Sequence, residues 1–231
     1  MGGREIWPLA IVFGLVFSAE FLILFTAIDL TTVSRSSIFF YAMPIWMAIG
    51  AHLFLPGDRL TSQKIAGLVL AMTGVALAMA YRDGGQGSIL GDMLALAGGM
   101  AWAAIGLLAK GTRLNQLGPD AQLMWQVAIS APVLMLLAPL FGPLIREVAV
   151  LHIAALAFQI IAVVTFGFVL WFWLLSIYPG SGVASFSFLA PVFGVFLGWA
   201  LLGEEVGPGL IAALSLVCVG IVLINKPARR R

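Results

Sequence analysis

Charge is scarce in this chain. Only 10% of its 231 residues are Asp, Glu, Lys or Arg, where an average soluble domain carries roughly a quarter. The charges that exist gather between long apolar runs and do not spread along helix faces. Apolar residues reach 62% and mean hydropathy is +1.10, which together predict an integral membrane protein. The single cysteine, Cys218, excludes an intramolecular disulfide and lies inside an apolar run, as a small packed side chain would. His52 and His152 are the only histidines, and neither stands at ligand spacing from a cysteine or a carboxylate pair, so no metal site is expected. No Gly-x-x-x-x-Gly-Lys-(Ser/Thr) loop occurs, which argues against ATP coupling by the chain itself. A net charge of +2 gives no reason to expect nucleic acid as a partner. The first apolar run, Trp7 to Ile28, is too long for the hydrophobic region of a cleaved leader and shows no small-x-small cleavage site.

What is present is a series of apolar stretches near the ~20 residues needed to cross a bilayer. Eight are expected: Ile6–Ile28, Ser34–Leu55, Lys64–Tyr81, Gly91–Leu108, Ala121–Phe141, His152–Ile177, Ser181–Leu202 and Gly209–Ile224. Between them stand turn residues such as Pro56-Gly57-Asp58, Asp83-Gly84-Gly85 and Gly207-Pro208-Gly209. Eight spans put both termini on one side. That side holds Arg4, Arg59, Lys64, Lys110, Arg113, Lys226, Arg229, Arg230 and Arg231, while the other holds Arg35, Arg82 and Arg146. The excess of basic residues predicts cytoplasmic termini in a cell (inner) membrane.

The spans repeat. Phe21 to Trp46 aligns without a gap on Phe168 to Phe193, matching Phe21, Phe25, Ser34, Phe39 and Pro44 to Phe168, Phe172, Ser181, Phe186 and Pro191. One single-residue gap later, Gly57-Asp58 meets Gly203-Glu204 and Gly74 meets Gly220. The equivalent spans run in opposite directions across the membrane, so the repeat is inverted, as in many transporters built from two related halves.

These residues resemble the EamA type of the drug/metabolite transporter superfamily. The first copy reads Ala27, Thr31, Ser34, Pro44, Gly57, Asp58, Leu60, Thr61, Gly67 and Gly74; the second reads Ser181, Ala184, Pro191, Gly203, Glu204 and Gly220. Gly91-Asp92, Leu94, Leu96, Ala97 and Trp102-Ala103 are similar to the family's opening of its second half. The resemblance implies an all-α integral membrane protein of two inverted five-helix repeats. In this chain it gives eight transmembrane helices, 3 + 5 of a 5 + 5 inverted-repeat architecture. Residues 1–82 would be a partial first repeat, 91–225 a complete second one and 226–231 a basic cytoplasmic tail, with the family's first two helices lacking. Asp58 stands where the family usually has Glu.

Among residues that could carry chemistry, Glu20 ranks first. It stands ~12 Å from the Ile28 end of its span at 1.5 Å per residue, where a charge is costly unless paired, hydrated or protonated. It is expected to be the only carboxylate inside a span. It would couple transport to protons or bind a cationic or hydrogen-bonding substrate; the alternative is a neutral or paired structural carboxyl. Tyr41 and Ser37 share a helical face with Ser34, Pro44 and Ala48, a face that would line a pore or pack closely on another helix. Trp102 and Trp171 are candidates to stack on a substrate, although packing and lipid contact are the commoner roles of such residues. Pro44 and Pro191 occupy equivalent positions and would be paired hinges, because each removes the donor for the carbonyl four residues earlier. Arg35 reads as an interfacial anchor. Asp58, Glu204 and Glu205 read as turn acids capping the next helix.

These expectations converge on a secondary transporter for a small organic solute, working by alternating access, with no cofactor and no metal. Its partners would be the solute and the lipid bilayer, and a homodimer stays open. The alternatives are a non-transporting remnant or a subunit that needs a partner. An intramembrane enzyme built on Gly180-Ser181-Gly182 lacks a base within reach of the serine.

Overall fold

The computed structural model describes residues 3–55, 59–81, 87–143, 148–167, 170 and 189–225. Nine α-helices form within them: α1 (Gly3–Leu30), α2 (Val33–Phe40), α3 (Met43–Phe54), α4 (Ser62–Ala80), α5 (Ile89–Gly111), α6 (Pro119–Leu137), α7 (Val150–Phe158), α8 (Leu189–Leu202) and α9 (Pro208–Asn225). Short 3₁₀ turns follow α5 and α6, a π-helical segment over Gln159–Gly167 continues α7, and no strand occurs among the described residues. Among the described residues six stretches are long and apolar enough to cross a membrane: Ile6–Leu30, Val33–Phe54, Ser62–Ala80, Ile89–Gly111, Asp120–Phe141 and Pro208–Asn225. Two shorter apolar helices, Val150–Val163 and Leu189–Leu202, overlap the sixth and seventh expected spans. The remainder of those spans, together with Trp171, lies largely outside the described residues.

Turn residues between the spans act as caps. The side chains of Thr32, Thr61 and Ser88 accept the N–H groups of Arg35, Lys64 and Gly91 and so start α2, α4 and α5. The second expected span is not one helix. It breaks at Tyr41–Ala42, and Pro44 sits in the first turn of α3, where its missing N–H is no loss. The carbonyl of Phe40, which Pro44 cannot serve, turns to α5. A methyl group on Gly99 would come within 2.6 Å of that oxygen, so only glycine fits there. Pro132, by contrast, lies within a continuous α6.

Glycines set the registers of the bundle. Gly67 faces Gly220, while Gly74, further along α4, faces Ala213 and Val217, earlier in α9. The two helices therefore pack antiparallel, backbone against backbone. Ser34 faces Gly198 and Ser37 faces Gly194, so α2 and α8 are antiparallel as well. On α5, Gly91 meets Leu30–Thr31 and Gly98 meets Ile23, which makes α1 antiparallel to α5. The larger core holds Ile38, Phe39, Ile45, Ala71, Val217 and Ile221 around these seams, and a second holds Phe13, Ile105 and Leu114. Large apolar side chains cover the outside, Leu136 and Val150 about four-fifths exposed. Such a surface suits hydrocarbon, since within each helix the backbone groups bond one another.

Candidate functional site

The registers fix the surroundings of Glu20. Ile23 on α1 is level with Gly98 on α5. Three residues back from Ile23 is Glu20, and four residues on from Gly98 is Trp102. In an antiparallel pair both steps lead one turn in the same direction, so Glu20 and Trp102 share a level. The break between α2 and α3 supplies the third wall. Tyr41 lies in the break, close enough to Glu20 for the carboxyl charge to act on its phenol. Its ring meets Trp102 edge-on at 5.7 Å between centroids, and Phe40 stacks on the same indole at 5.2 Å. Three of the residues expected from sequence, Glu20, Tyr41 and Trp102, are thus brought together on three different elements.

Glu20 is only 5% exposed. Among the described residues it makes no hydrogen bond and no ion pair, although a buried carboxyl without partners is costly. Burial, an open carboxyl and an aromatic wall together suit a ligand with a donor group or a positive charge. Ser37 is placed differently. Its hydroxyl presses on Gly194 of α8, in the seam between α2 and α8. Pro44 is buried in the first turn of α3, and Pro191 is fully buried in α8. No group of three His, Cys, Asp or Glu side chains able to hold a metal occurs among the described residues.

At the end of the bundle that carries the α1–α2, α4–α5 and α8–α9 connections, the structure corrects three expectations. Arg35 is not an interfacial anchor: it is 5% exposed and pairs with Asp92, Nη2 to Oδ2 at 2.7 Å, with Nε donating to Oδ1 at 3.1 Å. Its Nη2 also donates to the Ala78 carbonyl at 2.7 Å and Nη1 to that of Tyr81 at 3.0 Å, at the C-terminal end of α4, where a cation is favoured. Glu20 is not the only carboxylate inside a span. Asp92, in the first turn of α5, is completely buried and also accepts the Thr31 hydroxyl at 2.7 Å. Finally, Glu204 does not cap the helix that follows it. Its carboxylate accepts the N–H of Val33 at 2.6 Å and of Ser34 at 2.8 Å, so it caps α2. Spacing along the sequence favoured the nearest helix; the fold brings a more distant helix start within reach.

The helices and the buried polar centre define a multi-pass membrane protein of the transporter class. The chain belongs to the EamA-like transporter family, whose model matches residues 2–80 and 89–226. It is 26% identical to an uncharacterized transporter of Bacillus subtilis over 98% of this chain and 74% of the relative. It is also 30% identical to a probable amino-acid metabolite efflux pump of Salmonella typhimurium, over 77% of this chain and 62% of the pump. The fold is similar to a solved crystal structure with a TM-score of 0.64 at 20% identity, covering 95% of this chain and 76% of the other.

Proposed function

We propose that the chain is a secondary transporter that carries a small organic solute across the cell membrane by alternating access, with Glu20, Tyr41 and Trp102 at the binding centre. The observation that carries this reading is Glu20, buried in mid-span with no hydrogen-bond or ion-pair partner among the described residues, within electrostatic reach of Tyr41 and level with Trp102, whose ring meets that of Tyr41. Stability alone gives no reason to keep such a group, whereas a bound solute or a proton in transit does. The antiparallel packing of α4 on α9 supports the inverted repeat, since the sequence alignment makes these two helices equivalent, and α8 corresponds in the same alignment to α3. Pro44 and Pro191 are then equivalent hinges in that repeat. The pairing of Arg35 with Asp92 supports the orientation with cytoplasmic termini, because it removes one of the three basic charges from the outer side.

Flux in proteoliposomes tests the function. Amino acids and their simple metabolites are the first solutes to try, given the name of the Salmonella relative. Glu20→Gln is expected to abolish the flux of any transported solute at normal abundance. Undiminished flux with an unaltered dependence on pH would remove Glu20 from the mechanism. Reporter fusions after Arg82 and after Arg231 are expected on opposite sides of the membrane.

A further inference from the structure

The α2–α8 seam is closed at one end by a contact between a carboxylate and backbone amides. At the start of α2, Thr32 accepts the Arg35 N–H, while Glu204 reaches across from the α8–α9 connection to accept those of Val33 and Ser34. A carboxylate is a strong partner for exposed amides at a helix start, through both hydrogen bonds and the dipole. Two glycines build the contact. Gly203, with φ +67, takes the left-handed conformation that ends α8 and turns the chain back, and the Glu204 N–H then donates to the Gly198 carbonyl at 3.1 Å. Gly198 leaves the space that Glu204 and Ser34 occupy: a methyl group there would come within 2.5 Å of Glu204 Oε2 and of Ser34 Oγ.

We infer that Glu204 is a releasable latch, which holds this end of the α2–α8 seam shut in one access state and lets go of the α2 amides when that end opens. The inference rests on the transporter reading. Three observations distinguish the latch from a fixed cap. Among the described residues α8 packs chiefly on α2, whereas α2 is also tied to α4 and α5 through Arg35. The Arg35–Asp92 pair is sealed, with Asp92 wholly buried, while Glu204 is only partly buried and water can replace both of its partners. The α4–α9 seam meets through bare backbone and carries no comparable charged contact at its described glycine crossings. Opening by departure of α8 from α2 therefore breaks two amide–carboxylate bonds and leaves the buried ion pair intact.

Thiol accessibility tests the latch without a known solute. With Cys218→Ala in the full chain, Ser37→Cys places a reporter in the α2–α8 seam and Ala71→Cys places a control in the α4–α9 seam. The probe is a membrane-impermeant maleimide, applied to intact cells and to inverted vesicles. Glu204→Gln is expected to raise the labelling rate of the Ser37→Cys reporter at least fivefold, from the face that carries the α8–α9 connection only. Glu204→Asp, with the charge kept on a shorter arm, should give an intermediate rate, and Glu205→Gln should change nothing. The control cysteine should stay slow throughout. Rates within twofold of the parent in Glu204→Gln would overturn the latch, as would a gain from both faces or at the control cysteine. Loss of folded protein in both Glu204→Gln and Glu204→Asp would also overturn it, making the carboxylate a fixed cap. Absence of solute flux beside the expected labelling pattern would count against the transporter reading alone.

Discussion

Two buried acids of this protein, Asp92 and Glu20, live in opposite circumstances. Asp92 lies at a helix start and is enclosed by Arg35 and Thr31, the arginine in turn anchored on the last carbonyls of α4. Glu20 lies in mid-span, nearly as buried, level with Trp102 and within electrostatic reach of Tyr41, with no ion-pair or hydrogen-bond partner among the described residues. The first acid is neutralised by its surroundings and joins α2, α4 and α5 at one end. The second costs the fold free energy that nothing in the described structure returns. A carboxyl inside a membrane therefore signals function only after its partners are counted, and the partners here differ completely.

The largest effect expected from breaking this contrast is at Arg35. Arg35→Ala leaves Asp92 buried and uncompensated, and should destabilise the protein by ~3–5 kcal/mol. The measurement is thermal or denaturant unfolding in detergent, together with abundance in the membrane. Replacing both partners, Arg35→Met with Asp92→Leu, should recover most of the loss, because the buried charge is gone. Next comes the glycine seam. Gly220→Val drives a side chain into the backbone of Gly67 and Ala71 and should cost ~1–3 kcal/mol, read the same way. Thr31→Val removes one hydrogen bond to the Asp92 carboxylate, a loss of ~1.5–3 kcal/mol if nothing replaces it. Glu20→Gln should leave unfolding unchanged or shift it slightly upward while abolishing flux. A Glu20→Gln variant that unfolds as readily as Arg35→Ala would erase the contrast and make Glu20 structural.

Much of this was legible in the chain. Hydropathy marked the helices because a bilayer demands long uninterrupted apolar stretches, whereas the caps at Thr32, Thr61 and Ser88 emerge only with the structure. Glu20, Tyr41 and Trp102 were each visible as polar or aromatic residues inside spans. Their meeting was not visible, because it depends on the register of α1 against α5, which Gly91 and Gly98 set through contacts far apart in sequence. Arg35 was misjudged for the same reason. A cation at a span end looks like a headgroup anchor until the first turn of α5 brings an aspartate beside it. The break at Tyr41–Ala42 was half legible: Pro44 announced a lost hydrogen bond, but not that the span would become two helices.

The α4–α9 seam also has a consequence in time. Its glycine surfaces belong to segments made far apart, α4 ending at Ala80 and α9 beginning at Pro208. At ~5–20 residues per second of synthesis, α4 waits on the order of 6 to 26 seconds in the membrane before its mate is made. Until then the backbone grooves at Gly67 and Gly74 face lipid or a chaperone, and any neighbour with a small-residue face is a competitor for them. Synthesis of α9 thus closes this seam, and nascent chains stopped before it should be the ones that quality-control proteases remove fastest.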